Sequence, residues 1–284
     1  MNITTVGVVG AGAMGNGIAQ VCAVSGIQVV MVDIAQPALD KGLATVGKSL
    51  DRLVAKQKMT EADKAAALGR ITTSVSYDAL KSAQLVIEAA TENHELKDKI
   101  IRQLDALLAP EVIIATNTSS ISITQLAAVT GRPDKFIGMH FFNPAPLMAL
   151  VELIRGLRTS DATHQAAKAL AERLGKSPIT VKNAPGFVVN RVLVPMINEA
   201  FFVLAEGLAS PEDIDAGMKL GCGHPIGPLA LADMIGLDVC LAIMEVYLDQ
   251  FGDSKYRPCP LLREYVAAGR LGRKSGSGVY GYGK

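Results

Sequence analysis

Between residues 4 and 115, short aliphatic runs alternate with longer amphipathic ones, and this alternation constrains the chain more than any single motif. TTVGVVG (4–10), IQVVMVD (27–33), ITTSV (71–75), AQLVIEA (83–89) and VIIATN (112–117) read as strands. Helical patterns over 14–25, 37–58, 60–69 and 94–108 separate them. Strands joined through helices must pair in parallel, as in a doubly wound sheet. Their nearly unbroken apolar character fits a sheet covered on both faces. KFIGMHFF (135–142) and LMALVELI (147–154) are parted only by NPAP. That connection is too short for a parallel crossover, so an antiparallel pair is expected there.

A helix near 161–174 and a strand SPITV (177–181) extend the sheet, and at Asn183 the pattern changes. NAPGFVVNRVLVPMINEAFFVLAEG reads as a long helix opened near Pro185-Gly186. A helix over 210–220 follows, with Ser210 as N-cap, Pro211 in the first turn and Asp213 adding early negative charge. Further helices are expected near 227–250 and 260–268, and no strand before the Gly-rich tail. The expected class is α/β: a Rossmann-type, mostly parallel sheet domain over 1–184 and an all-helical domain over 185–284.

The first strand runs into VVGAGAMGNG, which spaces Gly10, Gly12 and Gly15 as Gly-x-Gly-x-x-Gly. That spacing is weak alone. Here it follows a strand, opens a helix and precedes a second strand ending in Asp33, the context dinucleotide binding requires. Gly10 permits the tight turn, Gly12 lets a pyrophosphate approach the backbone, and Gly15 lets helix and strand pack closely. The helix N-terminus offers unpaired N–H groups and a positive partial charge, and Met14 lies in the same candidate cofactor site. A carboxylate at Asp33 can accept from both hydroxyls of an adenosine ribose and repels a 2′-phosphate, so NAD is expected over NADP. The plainer alternative is a turn-rich junction without ligand.

Composition closes other routes. Hydrophobic residues make up 49%, charged residues 19%, and there is no Trp, which excludes a disordered chain and implies an aliphatic core. The stretch VLVPMINEAFFVLA (192–205) is interrupted by Asn198 and Glu199. No run reaches the roughly 18–20 uncharged residues of a membrane span. With 28 Lys+Arg against 27 Asp+Glu, a general nucleic-acid binder is not expected. Cys22, Cys222, Cys240 and Cys259 show neither a CxxC pair nor metal-ligand spacing. They read as reduced thiols of a cytoplasmic protein without a metal site. The N-terminus enters a strand with no signal-like segment.

If the strands around NPAP form a hairpin, His140 and Glu152 can meet across it. A carboxylate that accepts the Nδ1 proton fixes the imidazole tautomer and leaves Nε2 free as a base. On spacing alone, an isolated and satisfied histidine reads equally well.

NTSS (117–120), HFFNP (140–144), VELI (151–154), APGFVVNRVLVP (184–195), MKLGCGHPIGPLALAD (218–233) and GRKSGSGVYGY (272–282) follow one another along the chain. With these motifs the sequence resembles, essentially end to end, the L-3-hydroxyacyl-CoA dehydrogenase family, and in length its 3-hydroxybutyryl-CoA dehydrogenase group. The resemblance implies an NAD-dependent oxidoreductase that interconverts (S)-3-hydroxyacyl-CoA and 3-ketoacyl-CoA, with 3-hydroxybutyryl-CoA and acetoacetyl-CoA as the expected pair. It implies His140 as catalytic base, Glu152 as its partner, Ser119 beside the substrate oxygen and the nicotinamide, and Asn190 turned toward the substrate. It also implies Glu92, Lys97, Asn117, Ser119 and Asn143 as cofactor-site residues, and Ser49 and Lys56 as CoA contacts.

Each position has a plainer reading. Ser119 can cap the following helix, Asn190 can be an ordinary helix residue, and Asn143 can be a turn residue before Pro144. Lys48, Arg52 and Lys56 recur every four residues, so they share one helix face that suits the phosphates of CoA, or is simply solvated. Ala149 departs from the family, which often carries a lysine there. A related β-hydroxyacid or sugar-acid 3-dehydrogenase, or a non-catalytic NAD-binding homologue, remains as an alternative. The stretch 186–248 is poor in charge and apolar on more than one helix face. The resemblance implies a homodimer formed through this domain, as large apolar interfaces usually are in obligate dimers.

Overall fold

The structure is a computed structural model, and it describes residues 2–283. Eight strands form one sheet: β1 (Thr5–Val9), β2 (Gln28–Val32), β3 (Ile71–Ser74), β4 (Leu85–Glu88), β5 (Ile113–Thr116), β6 (Phe136–Phe141), β7 (Leu150–Arg155) and β8 (Ser177–Lys182). Their order is β3-β2-β1-β4-β5-β6-β7-β8. Every neighbouring pair is parallel except β6 and β7, which are antiparallel as the short connection required. The sheet is flanked by α1 (Ala13–Val24), α2 (Gln36–Ala55), α3 (Glu61–Gly69), α4 (His94–Leu107), α5 (Ile123–Ala128) and α6 (Asp161–Arg173).

Successive strand residues face opposite sides of a sheet, and here both sides are apolar. Val6, Val8, Leu85, Ile87, Ile113 and Ala115 pack with Ile18 of α1, Leu39, Val46 and Leu50 of α2, and Leu170 of α6. Val9, Val86 and Ile114 pack on the other side with Ile100, Ile101 and Leu104 of α4 and Leu126 of α5. This is the two-sided burial that the unbroken apolar strands predicted.

The chain divides into two compact units between Phe187 and Val188. The second holds α7 (Val189–Ala205), α8 (Pro211–Cys222), α9 (Pro228–Ile235), α10 (Leu237–Phe251) and α11 (Pro260–Ala267). One of its cores gathers Ile197, Phe201, Leu229, Cys240 and Leu262. A second gathers Val194, Met244, Tyr247 and Tyr256. Two buried carboxylates brace this unit. Asp215 accepts from the backbone N–H groups of Leu229 (2.8 Å) and Ala230 (2.9 Å), at the start of α9 where no side chain of the helix itself serves as cap. Asp233 accepts from Val279 N (2.9 Å), Tyr280 N (2.9 Å) and the Tyr282 hydroxyl (3.0 Å), which fastens the Gly-rich tail. A Cβ on Gly278 would lie 2.0 Å from Asp233 Oδ1, so only glycine allows that approach.

Four elements differ from the sequence expectation. The helix expected over 37–58 ends at Ala55, because the chain turns left-handed at Gln57 (φ 56°). The helix expected from Pro185-Gly186 starts at Val189, after Gly186 (φ 75°) and Phe187 (φ 52°) turn the backbone. The stretch 227–250 is two helices broken at Gly236 (φ 108°). The helix that Ser119 could have capped, α5, starts only at Ile123 and is capped by Ser122.

Candidate active site

The loop between β1 and α1 is built as its glycines require. Gly10 has φ 102°, and a Cβ there would come within 2.7 Å of Ala89 O and Ala90 Cα. A Cβ on Gly15 would lie 1.8 Å from Gly10 O, so α1 sits on the turn itself. Above Gly12 the space is open, with nothing within 4 Å of a Cβ built there. No side chain caps α1, so its first N–H groups face that space without a partner from their own helix. Met14 is half-buried just behind them. Asn16, which sequence reasoning passed over, braces the loop by donating from Nδ2 to Gly12 O (2.7 Å).

Asp33 follows β2 and accepts from Ala11 N through Oδ2 (2.8 Å), while Oδ1 makes only a long contact with Ala35 N (3.4 Å). One oxygen thus ties the end of β2 to the glycine loop and the other keeps acceptor capacity. A cavity of ≈ 650 Å³ opens beside it, lined by Ile34, Val75, Tyr77, Gln103 and Leu107. Uncapped amides, open space over Gly12, a carboxylate and an apolar slot fit a dinucleotide with its pyrophosphate on the helix end.

His140 and Glu152 are direct cross-strand partners in the β6–β7 pair. His140 Nδ1 donates to Glu152 Oε2 at 2.8 Å. Glu152 is wholly buried, and His140 is 7% exposed. Phe142 and Phe187 flank the imidazole, with ring centroids at 4.5 and 5.8 Å. Because β6 runs parallel to β5, this pair lies at the same sheet edge as the glycine loop, where open α/β sheets take ligands.

The loop after β5 completes this edge. Asn117 Oδ1 accepts from Phe141 N (2.8 Å), linking it to the strand that carries His140. Glu92 Oε1 accepts from Ser119 N (2.6 Å), Ser119 Oγ (2.9 Å) and Thr118 Oγ1 (3.0 Å). Ser119 caps no helix, since α5 is capped by Ser122. Lys97 is 1% exposed, with its ammonium under this loop in an ion pair with Glu88. Asn143 is exposed at the β6–β7 turn. That turn is fastened by Lys176, which donates to Ala145 O (2.6 Å) and Met148 O (2.8 Å) and whose pKa burial pulls below the usual lysine value.

The remaining residues lie on α2 and α7 or at their ends. Ser49 is half-buried and Arg52 exposed on α2, and Lys56 is exposed at its cap, one residue beyond the helix. Lys48 and Arg52 alone of the three basic residues are inside the helix. Asn190 is half-buried in the first turn of α7, in the second unit. Among the described residues no cluster of His, Cys, Asp or Glu could hold a metal ion.

The family models described as 3-hydroxyacyl-CoA dehydrogenase, NAD binding domain, and 3-hydroxyacyl-CoA dehydrogenase, C-terminal domain, match residues 5–184 and 186–282. The chain belongs to the 3-hydroxyacyl-CoA dehydrogenase family. It is a nicotinamide-dependent oxidoreductase of that family. A 3-hydroxybutyryl-CoA dehydrogenase of Bradyrhizobium diazoefficiens is 55% identical to it, over 99% of this chain and 96% of the relative. A probable 3-hydroxybutyryl-CoA dehydrogenase of Bacillus subtilis is 53% identical, over 99% and 98%. The crystal structure of (S)-3-hydroxybutyryl-CoA dehydrogenase from Ralstonia eutropha superimposes with a TM-score of 0.99 at 70% identity, covering 100% of both chains. Glu88, Asn16 and Lys176 support this dehydrogenase's site without having been singled out from the sequence. Of these only Glu88 left a signal there, as the one charge in the apolar run AQLVIEA.

Proposed function

We propose that the enzyme interconverts (S)-3-hydroxybutyryl-CoA and acetoacetyl-CoA, with NAD as the preferred cofactor and His140 and Glu152 as the acid–base pair. The observation that carries this reading is the buried Nδ1–Oε2 hydrogen bond of 2.8 Å between direct cross-strand partners. A carboxylate can only accept, so Nδ1 holds the proton and Nε2 is the basic nitrogen. A bound nicotinamide supplies the acceptor for the hydride from C3. His140 Nε2 takes the 3-hydroxyl proton as that bond to hydrogen breaks, and Glu152 stabilises the imidazolium. In the opposite direction His140 returns the proton to the keto oxygen. Ser119 donates its hydroxyl proton to Glu92 Oε1 (2.9 Å), which fixes the orientation of that hydroxyl in the loop after β5.

Gly10, Gly12, Met14 and Gly15 would hold the pyrophosphate, and Asp33 the adenosine ribose, with the base against Ile34 and Val75. Glu92, Lys97, Asn117 and Asn143 would frame the nicotinamide end. Ser49, Arg52 and Lys56 would meet the CoA moiety, and Asn190 the acyl group. A homodimer through the helical unit is part of the same reading. Support for it comes from Val192, Leu208 and Leu220 of that unit, which are 67%, 74% and 87% exposed.

The test is His140→Ala assayed with NADH and acetoacetyl-CoA. General acid–base action of this kind contributes about 10²–10⁴ in rate, and a loss of that size is expected. A rate near that of the wild type would refute the assignment.

A further inference from the structure

We propose that Glu88 is a positioning residue for the reaction, acting through Lys97 and Glu92 on Ser119. The inference rests on the site reading above. Glu88 ends β4 with its side chain wholly buried. Every contact it makes leads to the loops that build the site. Its Oε1 accepts from Ala90 N (2.9 Å), the turn that runs on to Glu92. Its Oε2 accepts from Thr116 Oγ1 (2.8 Å), its partner in the β4–β5 register and the last strand residue before Asn117 and Ser119. The same oxygen is ion-paired with Lys97 of α4. Lys97 Nζ in turn lies 3.8 Å from Glu92 Oε2, and Glu92 Oε1 takes both the N–H and the O–H of Ser119.

Glu88 is thus a common anchor of two loops that also meet at the half-exposed Glu92. It also bears on the cofactor loop, because a Cβ on Gly10 would lie 2.7 Å from Ala89 O and Ala90 Cα, in the turn that Glu88 holds. Stability does not explain such an arrangement. A buried ion pair can usually be exchanged for apolar side chains at little loss, whereas breaking one by removing a single partner is strongly destabilising. What apolar replacements would not supply is a fixed cation beside Glu92, and hence a fixed hydroxyl on Ser119.

That difference sets the experiment. Glu88→Gln alone strands the Lys97 charge, so the informative variant is Glu88→Gln combined with Lys97→Met. The double variant is expected to melt near the wild-type temperature. Its kcat with NADH and acetoacetyl-CoA should nevertheless fall by about 10–100-fold, the scale on which small misplacements act. NADH affinity, followed by nicotinamide fluorescence, should weaken as well. The triple variant that also carries Glu92→Gln should be little worse than Glu92→Gln alone, because losses along one chain of contacts do not add. A double variant with wild-type kcat and NADH affinity would overturn the proposal, and so would losses that simply multiply with that of Glu92→Gln. Should the double variant not fold, Thr116→Val decides, since it removes the neutral hydroxyl that contacts both Glu88 and Lys97. A lowered kcat at unchanged melting temperature supports the proposal and an unchanged kcat overturns it. If the wild type fails to oxidise NADH with acetoacetyl-CoA, the substrate reading falls, and NADH affinity in the same variants still tests Glu88.

Discussion

Glu88 and Glu152 in the sheet are wholly buried, and each faces an ionisable cation-forming side chain, Lys97 and His140. Asp215 and Asp233 in the helical unit are 7% and 1% exposed, and among the described residues no cation pairs with either. They are held by backbone N–H groups and tyrosine hydroxyls. Burying a carboxylate is expensive unless its lone pairs are filled, and both units fill them. What differs is the kind of partner. A carboxylate facing imidazole can stabilise a proton that moves during a reaction. One filled by amides has fixed donors and can only hold the chain in place. The first kind is expected to govern turnover, and the second stability.

Glu152→Gln gives the largest expected effect. The amide presents a nitrogen or an oxygen to Nδ1 but no charge to the imidazolium, so kcat should drop by about 10²–10⁴. The melting temperature should change little by comparison, and thermal unfolding beside steady-state kinetics checks both. A variant that lost stability but kept its kcat would move Glu152 to the architectural kind.

Asp233→Asn is the counterpart in the helical unit. An amide cannot accept from Val279 N, Tyr280 N and the Tyr282 hydroxyl together, so at least one donor is left facing an NH₂ group. Hydrogen bonds to a charged group are worth about 1.5–3 kcal/mol each, and a loss of about 3 kcal/mol in urea unfolding is expected. Turnover per folded molecule should stay within about two-fold, as for a site whose geometry is intact. A large fall in kcat with unchanged stability would end the distinction between the two units.

The sequence announced these two kinds of residue unequally. All eight strands were legible, most as apolar runs bounded by turn residues and β3 and β8 by their β-branched residues. His140 and Glu152 could be paired by counting across a short connection. The glycine loop and Asp33 stood in a local context that points to a dinucleotide. The extent and cap of α5 were not legible, since ISITQLAAV is rich in β-branched residues. Its first N–H groups are fixed by Ser122 and by Asn183 Oδ1 (2.7 Å to Ile123 N), a residue 60 positions away. Asp233 and the tail it holds are 46 and 47 positions apart, so the motifs ALAD and GSGVYGY could be recognised but not explained. Glu88 read as strand because its partners come from α4 and β5. Short-range pattern therefore reached the sheet and its edge, while the long-range hydrogen bonds that brace both needed the fold.

Tyr280→Phe probes the amide-held kind more gently. The Tyr280 hydroxyl donates to Asp215 Oδ2 at 2.8 Å, while Leu229 N and Ala230 N still hold the carboxylate when that hydroxyl is gone. A loss of about 1.5 kcal/mol in unfolding free energy is expected, at the low end for a charged acceptor. Burial, and then the Asp215 contact, hold this phenol well above its usual pKa. A folded pKa above the unfolded one means the contribution is complete below about pH 10 and fades as the pH rises through the folded value. Wild type and Tyr280→Phe should therefore converge in stability at strongly alkaline pH. A gap that stayed constant would show that the hydroxyl is not titrating against Asp215.

The cysteines allow the two units to be compared without any substitution. Cys22 lies in α1 of the sheet unit and Cys240 in α10 of the helical unit, and burial pushes both thiols up to about 12. Cys259 is buried too, and Cys222 is exposed at the end of α8. Only a thiolate is alkylated at an appreciable rate, so iodoacetamide at mildly alkaline pH should label Cys222 first and leave the other three protected. Slower labelling then reports opening, because a buried thiol reacts only in molecules whose surroundings have locally unfolded. Both Cys22 and Cys240 are buried and react only once their surroundings open, so the ratio of their slow rates compares the opening of the sheet unit with that of the helical unit. Asp233→Asn should accelerate Cys240 and leave Cys22 unchanged if the units open independently. Equal acceleration of both would mean that the carboxylates of the helical unit stabilise the sheet as well, and the line between site and scaffold would no longer follow the boundary at Phe187.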